Sequence, residues 1–356
     1  MSAPMHSVSD WQSVHFDMII DVRSPEEFQI DHIPSAVNMP VLSDTQRNEI
    51  GKIYKEISPF EARKLGASYV SKNISVHLKN ELLTKKREFK PLVYCWRGGQ
   101  RSTAFIRVLS EIGFQTYQLK GGYKTYRQGV ISQLDNISDN IRLVRLAGYT
   151  GAGKTKVLNI LRQKGEQVID LEQLAGHRGS LLGEIKNKKQ PSQKQFEGNI
   201  LSAIQKMSTT QHIFVEAESS TIGNLMLPAP FWKKLKSAPF IWLEVPLDSR
   251  SEFLIEEYAW LTEHADKFKN LVNLICRKGD LKLARLVAED ISRCDWKSVA
   301  ENLLSGYYDC SYKKSLLRSP ALKLAELFQV DCSDFAASAT ANEIISILGD
   351  GLGEEV

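Results

Sequence analysis

The chain has 356 residues, of which 42% are hydrophobic and 25% are charged, and its net charge is +4. These values are ordinary for a soluble globular protein of two or three domains, and so small a charge does not by itself indicate a polyanionic partner. No apolar run approaches a membrane span, and the first residues lack the regions of a signal peptide, so we expect a cytoplasmic protein. The five cysteines have no C-x-x-C spacing, which argues against a zinc site or a disulfide framework.

The N-terminal part alternates strand-like and helix-like segments. Short apolar segments at 18–23, 92–95 and 115–119 read as strands, and amphipathic segments at 101–112 and 123–134 read as helices. Strands that alternate with helices predict a parallel α/β sheet, whose functional sites lie at the carboxyl ends of the strands. We assign residues 8–135 to this domain.

Cys95 ends one of these strands and opens a loop that contains Arg97, Gly98, Gly99 and Arg101. The loop N–H groups, the start of the next helix and the two guanidinium groups all favour a thiolate over a thiol. The sequence therefore predicts a nucleophilic cysteine, with the loop and both arginines as catalytic residues. The alternative is a buried structural cysteine, because cysteine is common in protein cores.

A second chemical motif lies at residues 148–155, which match G-x-x-x-x-G-K-[ST] without a mismatch. A strand-like segment precedes it and an apolar helical pattern follows it, at 141–147 and 156–162 respectively. This strand–loop–helix context is the one that a phosphate-binding loop requires. We assign residues 141–265 to a P-loop domain and 266–356 to a mainly helical extension packed on it.

Within this motif, Gly148, Gly151 and Gly153 let the backbone form a concave nest of N–H groups that binds phosphate. Lys154 is predicted to reach the outer phosphates, and Thr155 to hold a magnesium ion.

Four residues outside the motif are further candidates. Glu216 ends a predicted strand at the position of a Walker B acid and would join Thr155 at the magnesium ion. His177, Arg178 and Arg250 are predicted phosphate ligands, the first two in a glycine-containing loop. The alternatives are a solvated acid at a strand end and ordinary surface side chains.

The C-terminal third has no chemical signature of its own. Tyr307 and Tyr308, with Lys313 and Lys314, could stack on RNA and neutralise it, but paired tyrosines are more often core residues. The remaining cysteines lack the arginine–glycine setting of Cys95 and are interpreted as structural: Cys276, Cys294, Cys310 and Cys332.

Several of these segments together resemble a known family. Residues 21–28, 32–38 and the Cys95 loop look like a rhodanese domain. The longer match at 94–102, followed by a P-loop domain, resembles the tRNA 2-selenouridine synthases. Two departures stand out. Five residues separate Cys95 from Arg101, as in rhodanese-like phosphatases that cradle an oxyanion. The family's Val-Glu-Asp-Glu-Ser-Arg is altered here at Ala217 and Ser220.

The resemblance implies a transferase that converts 2-thiouridine at the wobble position of tRNA into 2-selenouridine. It implies S-geranylation from geranyl diphosphate, whose headgroup the P-loop would hold. Selenium would then pass from selenophosphate through a perselenide on Cys95. It implies no tightly bound cofactor beyond these co-substrates and magnesium. The expected partners are tRNA with 2-thiouridine and a selenophosphate-producing enzyme, with no membrane.

Three alternatives remain open on the residues. An ATP-dependent tRNA sulfurtransferase would use a Cys95 persulfide. A phosphatase fused to a kinase-like domain would need no tRNA. A non-enzymatic, nucleotide-gated RNA-binding module would keep its RNA affinity after Cys95→Ser.

Overall fold

The computed structural model describes residues 2–136, 141–179, 183, 185, 189–217, 219–259, 272–273, 281–310, 312, 329–331 and 337–351. Contacts within the chain define two compact units. The first unit comprises Met1–Leu134 and Pro191–Ser202, and the second comprises Asp135–Gln190 and Ala203–Val356. Within the described ranges, no helix has both the length and the apolar character needed to cross a bilayer.

The first unit is built on a five-stranded sheet in the order β1-β5-β4-β2-β3, in which every pairing is parallel. Its strands are β1 Met5–Val8, β2 Met18–Asp21, β3 Val37–Asn38, β4 Pro91–Tyr94 and β5 Thr116–Leu119. Its helices are α1 Pro25–Ile30, α2 Asp44–Glu56, α3 Pro59–His77, α4 Gln100–Ile112 and α5 Gly122–Asn136. The predicted parallel α/β fold is therefore confirmed for this part of the chain, and β1 is an edge strand that the sequence did not reveal.

Strand β4 occupies the centre of this sheet, and all four of its residues are buried. Helix α4 follows it after the Cys95 loop and ends at Gly113, which takes the left-handed conformation that closes many helices. Apolar side chains of α4 cover the sheet, with Phe105 and Leu109 fully buried. The fold thus delivers Cys95 to the carboxyl end of a rigid central strand.

A buried ion pair joins Arg23 to Asp21. Arg23 is 1% exposed and binds both carboxylate oxygens of Asp21, and it also donates to the Asp31 carbonyl at 2.6 Å. Its guanidinium lies 4.0 Å from the centre of the Tyr123 ring, and the Tyr123 hydroxyl donates to the Asp31 carboxylate. Because a buried charge is costly without partners, this network fixes the positions of Asp31 and Tyr123.

The second unit contains another parallel sheet, in the order β12-β11-β6-β8-β7. Its strands are β6 Arg142–Ala147, β7 Gln167–Ile169, β8 His212–Glu216, β11 Phe240–Glu244 and β12 Gln329–Asp331, and a small hairpin is formed by β9 Thr221–Ile222 and β10 Leu225–Met226. Its first helices are α6 Lys154–Gln163, α7 Leu171–Ala175, α9 Ala229–Ser237 and α10 Leu247–Glu257, while α8, Gln193–Ile204, begins in the first unit.

The described C-terminal residues are mainly helical, as predicted. They form α11 Leu281–Ser292, α12 Trp296–Leu303 and α13 Ala337–Gly351. Tyr307 and Tyr308 pack against an apolar cluster with Val287, so the core interpretation of these tyrosines is confirmed. Lys313 and Lys314, like Cys276 and Cys332, lie outside the described residues.

Gly122 is a position where the backbone can carry no side chain. Its φ is +61°, and an added Cβ would overlap the Cys95 carbonyl oxygen and lie 2.6 Å from the Gly98 nitrogen. Gly113 also has a positive φ, of +109°, but nothing lies within 4 Å of the place where its Cβ would be. A substitution at Gly113 therefore adds backbone strain alone, whereas a substitution at Gly122 adds both strain and steric overlap.

We therefore expect Gly122→Ala to lower the free energy of unfolding by at least about 3 kcal/mol, because strain and overlap add. The control Gly113→Ala should cost about 1 kcal/mol, since it adds strain alone. Urea unfolding followed by circular dichroism measures both values. Equal losses for the two variants would show that the turn at Gly122 does not constrain the Cys95 loop.

Candidate active site and phosphate loop

Cys95 lies directly after β4 and is 3% exposed. Its Sγ accepts a hydrogen bond from the Gly99 N–H and another from the Ser102 hydroxyl, each at 3.2 Å. Gly99 caps α4, so the sulfur also faces the positive end of a 13-residue helix. Two donors and a helix N-terminus stabilise negative charge on sulfur, which is what a nucleophilic thiolate requires.

Gln118 is a supporting residue of this loop that sequence reasoning missed. Its side-chain amide donates to the Gly98 carbonyl at 3.0 Å and to the Ser102 hydroxyl at 2.8 Å. The Ser102 hydroxyl thus accepts from Gln118, and its own hydrogen faces two acceptors, the Cys95 sulfur at 3.2 Å and the Gly99 carbonyl at 3.1 Å. Gly98 has a φ of +66°, and an added Cβ would lie 2.9 Å from the Leu119 carbonyl oxygen. Contacts with β5 and with the turn that follows it thus fix the conformation of the Cys95 loop.

The two arginines of the loop have different surroundings. The Arg101 guanidinium forms two hydrogen bonds to the Glu27 carboxylate, at 2.6 and 3.3 Å, and Arg47 lies 3.4 Å from the same carboxylate. Arg97 is exposed. The structure therefore places four of the five predicted residues in the loop between β4 and α4, and it places Arg101, already paired to a carboxylate, in the first turn of α4. Their roles in catalysis stay predictions.

The charge of Glu27 is set by these contacts. Burial raises the pKa of this carboxyl, but the hydrogen bonds and positive charges of Arg101, with the charge of Arg47, outweigh burial and lower it overall. Glu27 also accepts a hydrogen bond from the Ser24 N–H at the start of α1. One carboxylate thus ties α1 to α2 and α4 beside the Cys95 loop.

Trp96 provides an exposed aromatic surface beside the cysteine. Its ring stacks on Tyr123 at 5.1 Å between centres, and 38% of the residue remains exposed. Tyr123 is held in turn by Arg23 and Asp31. A rigid, half-open ring beside a nucleophile suits contact with a planar group such as a base.

The phosphate loop lies between β6 and α6, as predicted. Gly151 and Gly153 have φ values of +83° and +67°, which only glycine adopts without strain. The Lys154 ammonium donates to the Gly148 carbonyl at 2.9 Å, so it folds back over its own loop. This places a cation at the mouth of the nest that the sequence predicts to bind phosphate.

Acidic side chains gather next to Thr155. The Thr155 hydroxyl donates to the Glu172 carboxylate at 3.3 Å, and the Glu172 N–H donates to Glu216 at 2.8 Å. Glu216 is 2% exposed, and among the described residues its second carboxylate oxygen has no hydrogen-bond partner. Burial, with the nearby charge of Asp170, raises the pKa of the Glu216 carboxyl well above its usual range. A buried, incompletely bonded carboxyl beside a P-loop threonine fits the predicted magnesium site.

Arg250 contacts the backbone of the phosphate loop. Its guanidinium donates to the Thr150 carbonyl at 3.1 Å and forms two hydrogen bonds to Asp309, at 3.0 and 2.9 Å. An added Cβ on Gly151 would lie 2.9 Å from the Arg250 carbonyl oxygen. The phosphate role of Arg250 stays a prediction, while its contacts in the structure fix the shape of the loop.

The loop after α7 holds the other two predicted phosphate ligands. His177 is buried, and its backbone N–H donates to the Glu172 carbonyl at 3.1 Å. The Arg178 guanidinium pairs with Glu257 at 2.8 Å and lies 5.0 Å from the centre of the Tyr258 ring. None of these three contacts involves a residue of the phosphate loop, and the roles of His177 and Arg178 stay predictions.

Three aromatic rings beside the loop were not predicted as site residues. Tyr149 lies edge-on to Trp242 at 5.0 Å and to Tyr312 at 6.0 Å. The Lys154 ammonium is 5.9 Å from the centre of the Tyr312 ring. Ala217, one of the two altered positions in the family's Val-Glu-Asp-Glu-Ser-Arg, and Trp242 both pack against the cluster of Ala147 and Phe240. An apolar surface therefore adjoins the phosphate loop.

Comparison with known proteins assigns the chain to a family. The model described as the tRNA 2-selenouridine synthase AAA domain matches residues 141–275, and a rhodanese-like domain model matches 6–128. A tRNA 2-selenouridine synthase from Shewanella denitrificans is 31% identical over 84% of this chain and 88% of its own length. The chain belongs to the tRNA 2-selenouridine synthase family. The resemblance stated from the sequence is thereby confirmed.

Other family members match over shorter stretches. The tRNA 2-selenouridine synthase of Nitrosomonas europaea is 34% identical over 68% of this chain, and the match spans 64% of that protein. A solved rhodanese-related protein from Thermoplasma volcanium is 20% identical over 32% of this chain and 77% of its own, with a TM-score of 0.20.

The pairing of Glu27 generates a pH-dependent prediction. Because the folded-state pKa of Glu27 lies below its unfolded value, its stabilising effect is present above the unfolded value and is lost as pH falls. We expect Glu27→Gln to cost about 2 kcal/mol of unfolding free energy at pH 7. Relative to the parent protein, this deficit should shrink below about pH 4.5, near the ordinary carboxyl pKa.

Denaturant unfolding from pH 7 to pH 3.5 measures this difference. The control is Glu61→Gln, since Glu61 forms an exposed ion pair with Lys64 and should contribute under about 1 kcal/mol. A Glu27→Gln deficit that is small at pH 7, or that does not change with pH, would contradict the assigned role of the carboxylate.

Proposed function

We propose that this protein converts 2-thiouridine at the wobble position of tRNA into 2-selenouridine in two steps. The first step is S-geranylation of the thiocarbonyl by geranyl diphosphate, and the second replaces the sulfur with selenium from selenophosphate. The observation that carries the proposal is the Cys95 sulfur, held by the Gly99 N–H and the Ser102 hydroxyl at a strand end. The same chain also has a phosphate loop, and it belongs to the tRNA 2-selenouridine synthase family.

The phosphate loop suits the first step. Its nest recognises phosphate groups and not a nucleobase, so it is as suitable for a diphosphate as for ATP. Lys154 is near enough to its own loop carbonyls to exchange them for diphosphate oxygens. The apolar surface of Tyr149, Trp242 and Tyr312 offers an adjoining place for a hydrocarbon chain.

The chemistry of this step balances without a redox agent. The thiocarbonyl sulfur attacks the first carbon of the geranyl group, the carbon–oxygen bond breaks, and diphosphate leaves. Magnesium, when bound, would neutralise charge on the leaving diphosphate. Thr155, with Glu172 and Glu216 behind it, would hold that ion.

Selenium transfer also keeps its oxidation state, since selenium is formally −2 in selenophosphate and in the product. A perselenide on Cys95 would be two electrons more oxidised than a thiolate with hydroselenide. We therefore place the Cys95 thiolate on phosphorus: the sulfur–phosphorus bond forms, the phosphorus–selenium bond breaks, and hydroselenide is released. Hydroselenide adds at C2 of the geranylated base, geranylthiol leaves, and water hydrolyses the phosphocysteine.

The two proposed reactions require a tRNA substrate and a source of selenophosphate. The substrate partner is a tRNA with 2-thiouridine at the wobble position, and the selenium donor comes from a selenophosphate-producing enzyme. Both reactions would take place in the cytoplasm, where tRNA is available. No tightly bound cofactor is required.

The proposal is tested with 2-thiouridine tRNA, magnesium and the purified protein. Geranyl diphosphate and selenophosphate are added separately and then together, and the nucleosides are identified by mass spectrometry. We expect geranyl-2-thiouridine with the first alone, 2-selenouridine with both, and unchanged 2-thiouridine with selenophosphate alone.

A parallel reaction supplies ATP and a sulfur donor, with unmodified uridine tRNA, in place of the two co-substrates. Formation of 2-thiouridine there, with no response to geranyl diphosphate, would favour the ATP-dependent sulfurtransferase. Unchanged nucleosides in every reaction would contradict both activities.

A further inference from the structure

Helix α2 forms one wall of an open groove in the first unit, with a volume of about 790 Å³. Four of its lining residues are cationic, namely Arg47, Lys52, Lys55 and Arg101, and one, Glu56, is acidic. We call this feature the basic groove. Its lining also includes Tyr54, which is 57% exposed, and the apolar side chains of Leu42 and Ile50.

The positive charge of the basic groove is only partly neutralised. Arg47 and Arg101 share the Glu27 carboxylate, which leaves the three groups with a net positive charge. Lys52 and Lys55 are exposed, and within the described part of the chain neither forms an ion pair. No residue of α2 is buried, so these side chains are not used to form the core. Their charge is available to an anionic ligand.

The basic groove extends to the start of α4. Arg101, which lines the groove, precedes Ser102 in α4, and the Ser102 hydroxyl donates to the Cys95 sulfur at 3.2 Å. The groove therefore reaches the first turn of α4, the helix that follows the Cys95 loop. From Arg47 to Lys55 the cations extend over about 12 Å of helix, which is more than one phosphate group requires.

We propose that the basic groove binds the phosphate backbone of the single-stranded loop of the substrate RNA, with Tyr54 stacking on one of its bases. This rests on the proposed function, which makes an RNA loop the substrate that must reach Cys95. Single-stranded nucleic acid is bound by a cationic groove together with exposed aromatic rings, and the basic groove has both. A small oxyanion would need neither the length of the groove nor the exposed ring.

The test measures RNA affinity by fluorescence anisotropy with a labelled anticodon stem-loop and the full chain. Two variants are compared, Lys52→Ala/Lys55→Ala and Lys233→Ala/Lys236→Ala, which change the net charge equally. Lys233 and Lys236 are exposed residues on α9 in the second unit. Thermal unfolding of each variant confirms that it is folded.

For the Lys52/Lys55 pair we expect roughly tenfold weaker binding at about 0.15 M salt. The slope of log affinity against log salt should fall by about 1.4, since about 0.7 is lost for each single-strand phosphate contact. The control pair should bind as the parent does. Equal losses in both pairs would mean non-specific attraction, and no loss in either would mean that RNA binds elsewhere. Both results would overturn the proposal.

Variants of Tyr54 distinguish the contribution of ring stacking to RNA affinity from the contribution of charge. Tyr54→Leu should weaken binding about fivefold or more without changing the salt slope, and Tyr54→Phe should restore it because the ring is retained. Equal affinity of all three proteins would contradict the stacking role.

Failure of this proposal is distinguishable from failure of the proposed function. With the stem-loop as substrate, Lys52→Ala/Lys55→Ala should raise KM for RNA and leave KM for selenophosphate unchanged. An altered KM for selenophosphate with normal RNA binding would make the groove a small-anion site and overturn the inference, while 2-selenouridine would still form. If the parent protein forms no modified nucleoside but shows the predicted binding losses, only the proposed function fails.

Discussion

Behind the Cys95 loop, the turn at Gly121 and Gly122 approaches so closely that a side chain on Gly122 would overlap the Cys95 carbonyl oxygen. The Tyr123 N–H donates to that carbonyl at 2.8 Å, so the first turn of α5 and the end of β4 share one hydrogen bond. This contact leaves the loop little freedom, and it keeps the Gly99 N–H and the Ser102 hydroxyl within hydrogen-bond distance of the sulfur. A similar constraint acts in the second unit, where the Gly151 backbone lies against Arg250.

Arginines that a sequence assigns to anions serve structural purposes in both units. Arg101 pairs with Glu27, and Arg250 pairs with Asp309 while it holds the Thr150 carbonyl. A guanidinium paired in this way keeps a fixed position at low cost, because its charge is compensated. Arg97 and the two lysines of the basic groove, Lys52 and Lys55, are exposed.

The sequence predicts those features that depend on local pattern. The parallel sheets follow from alternating strands and helices, and the phosphate loop follows from a motif with fixed spacing. Edge strands β1 and β12 have little local signal, because they pair with residues more than 80 positions away in the chain. The pairing of Glu27 with Arg101 spans 74 residues and is equally invisible to pattern. The basic groove depends on side chains from α2 and α4 meeting in three dimensions.

The central claim is that the phosphate loop performs the first step and Cys95 the second, within one chain. The most direct measurement identifies the nucleosides that the variants Cys95→Ser and Lys154→Ala form from 2-thiouridine tRNA with both co-substrates. We expect Cys95→Ser to accumulate geranyl-2-thiouridine and Lys154→Ala to leave 2-thiouridine unchanged. Arrest of both variants at the same nucleoside would contradict this division of labour.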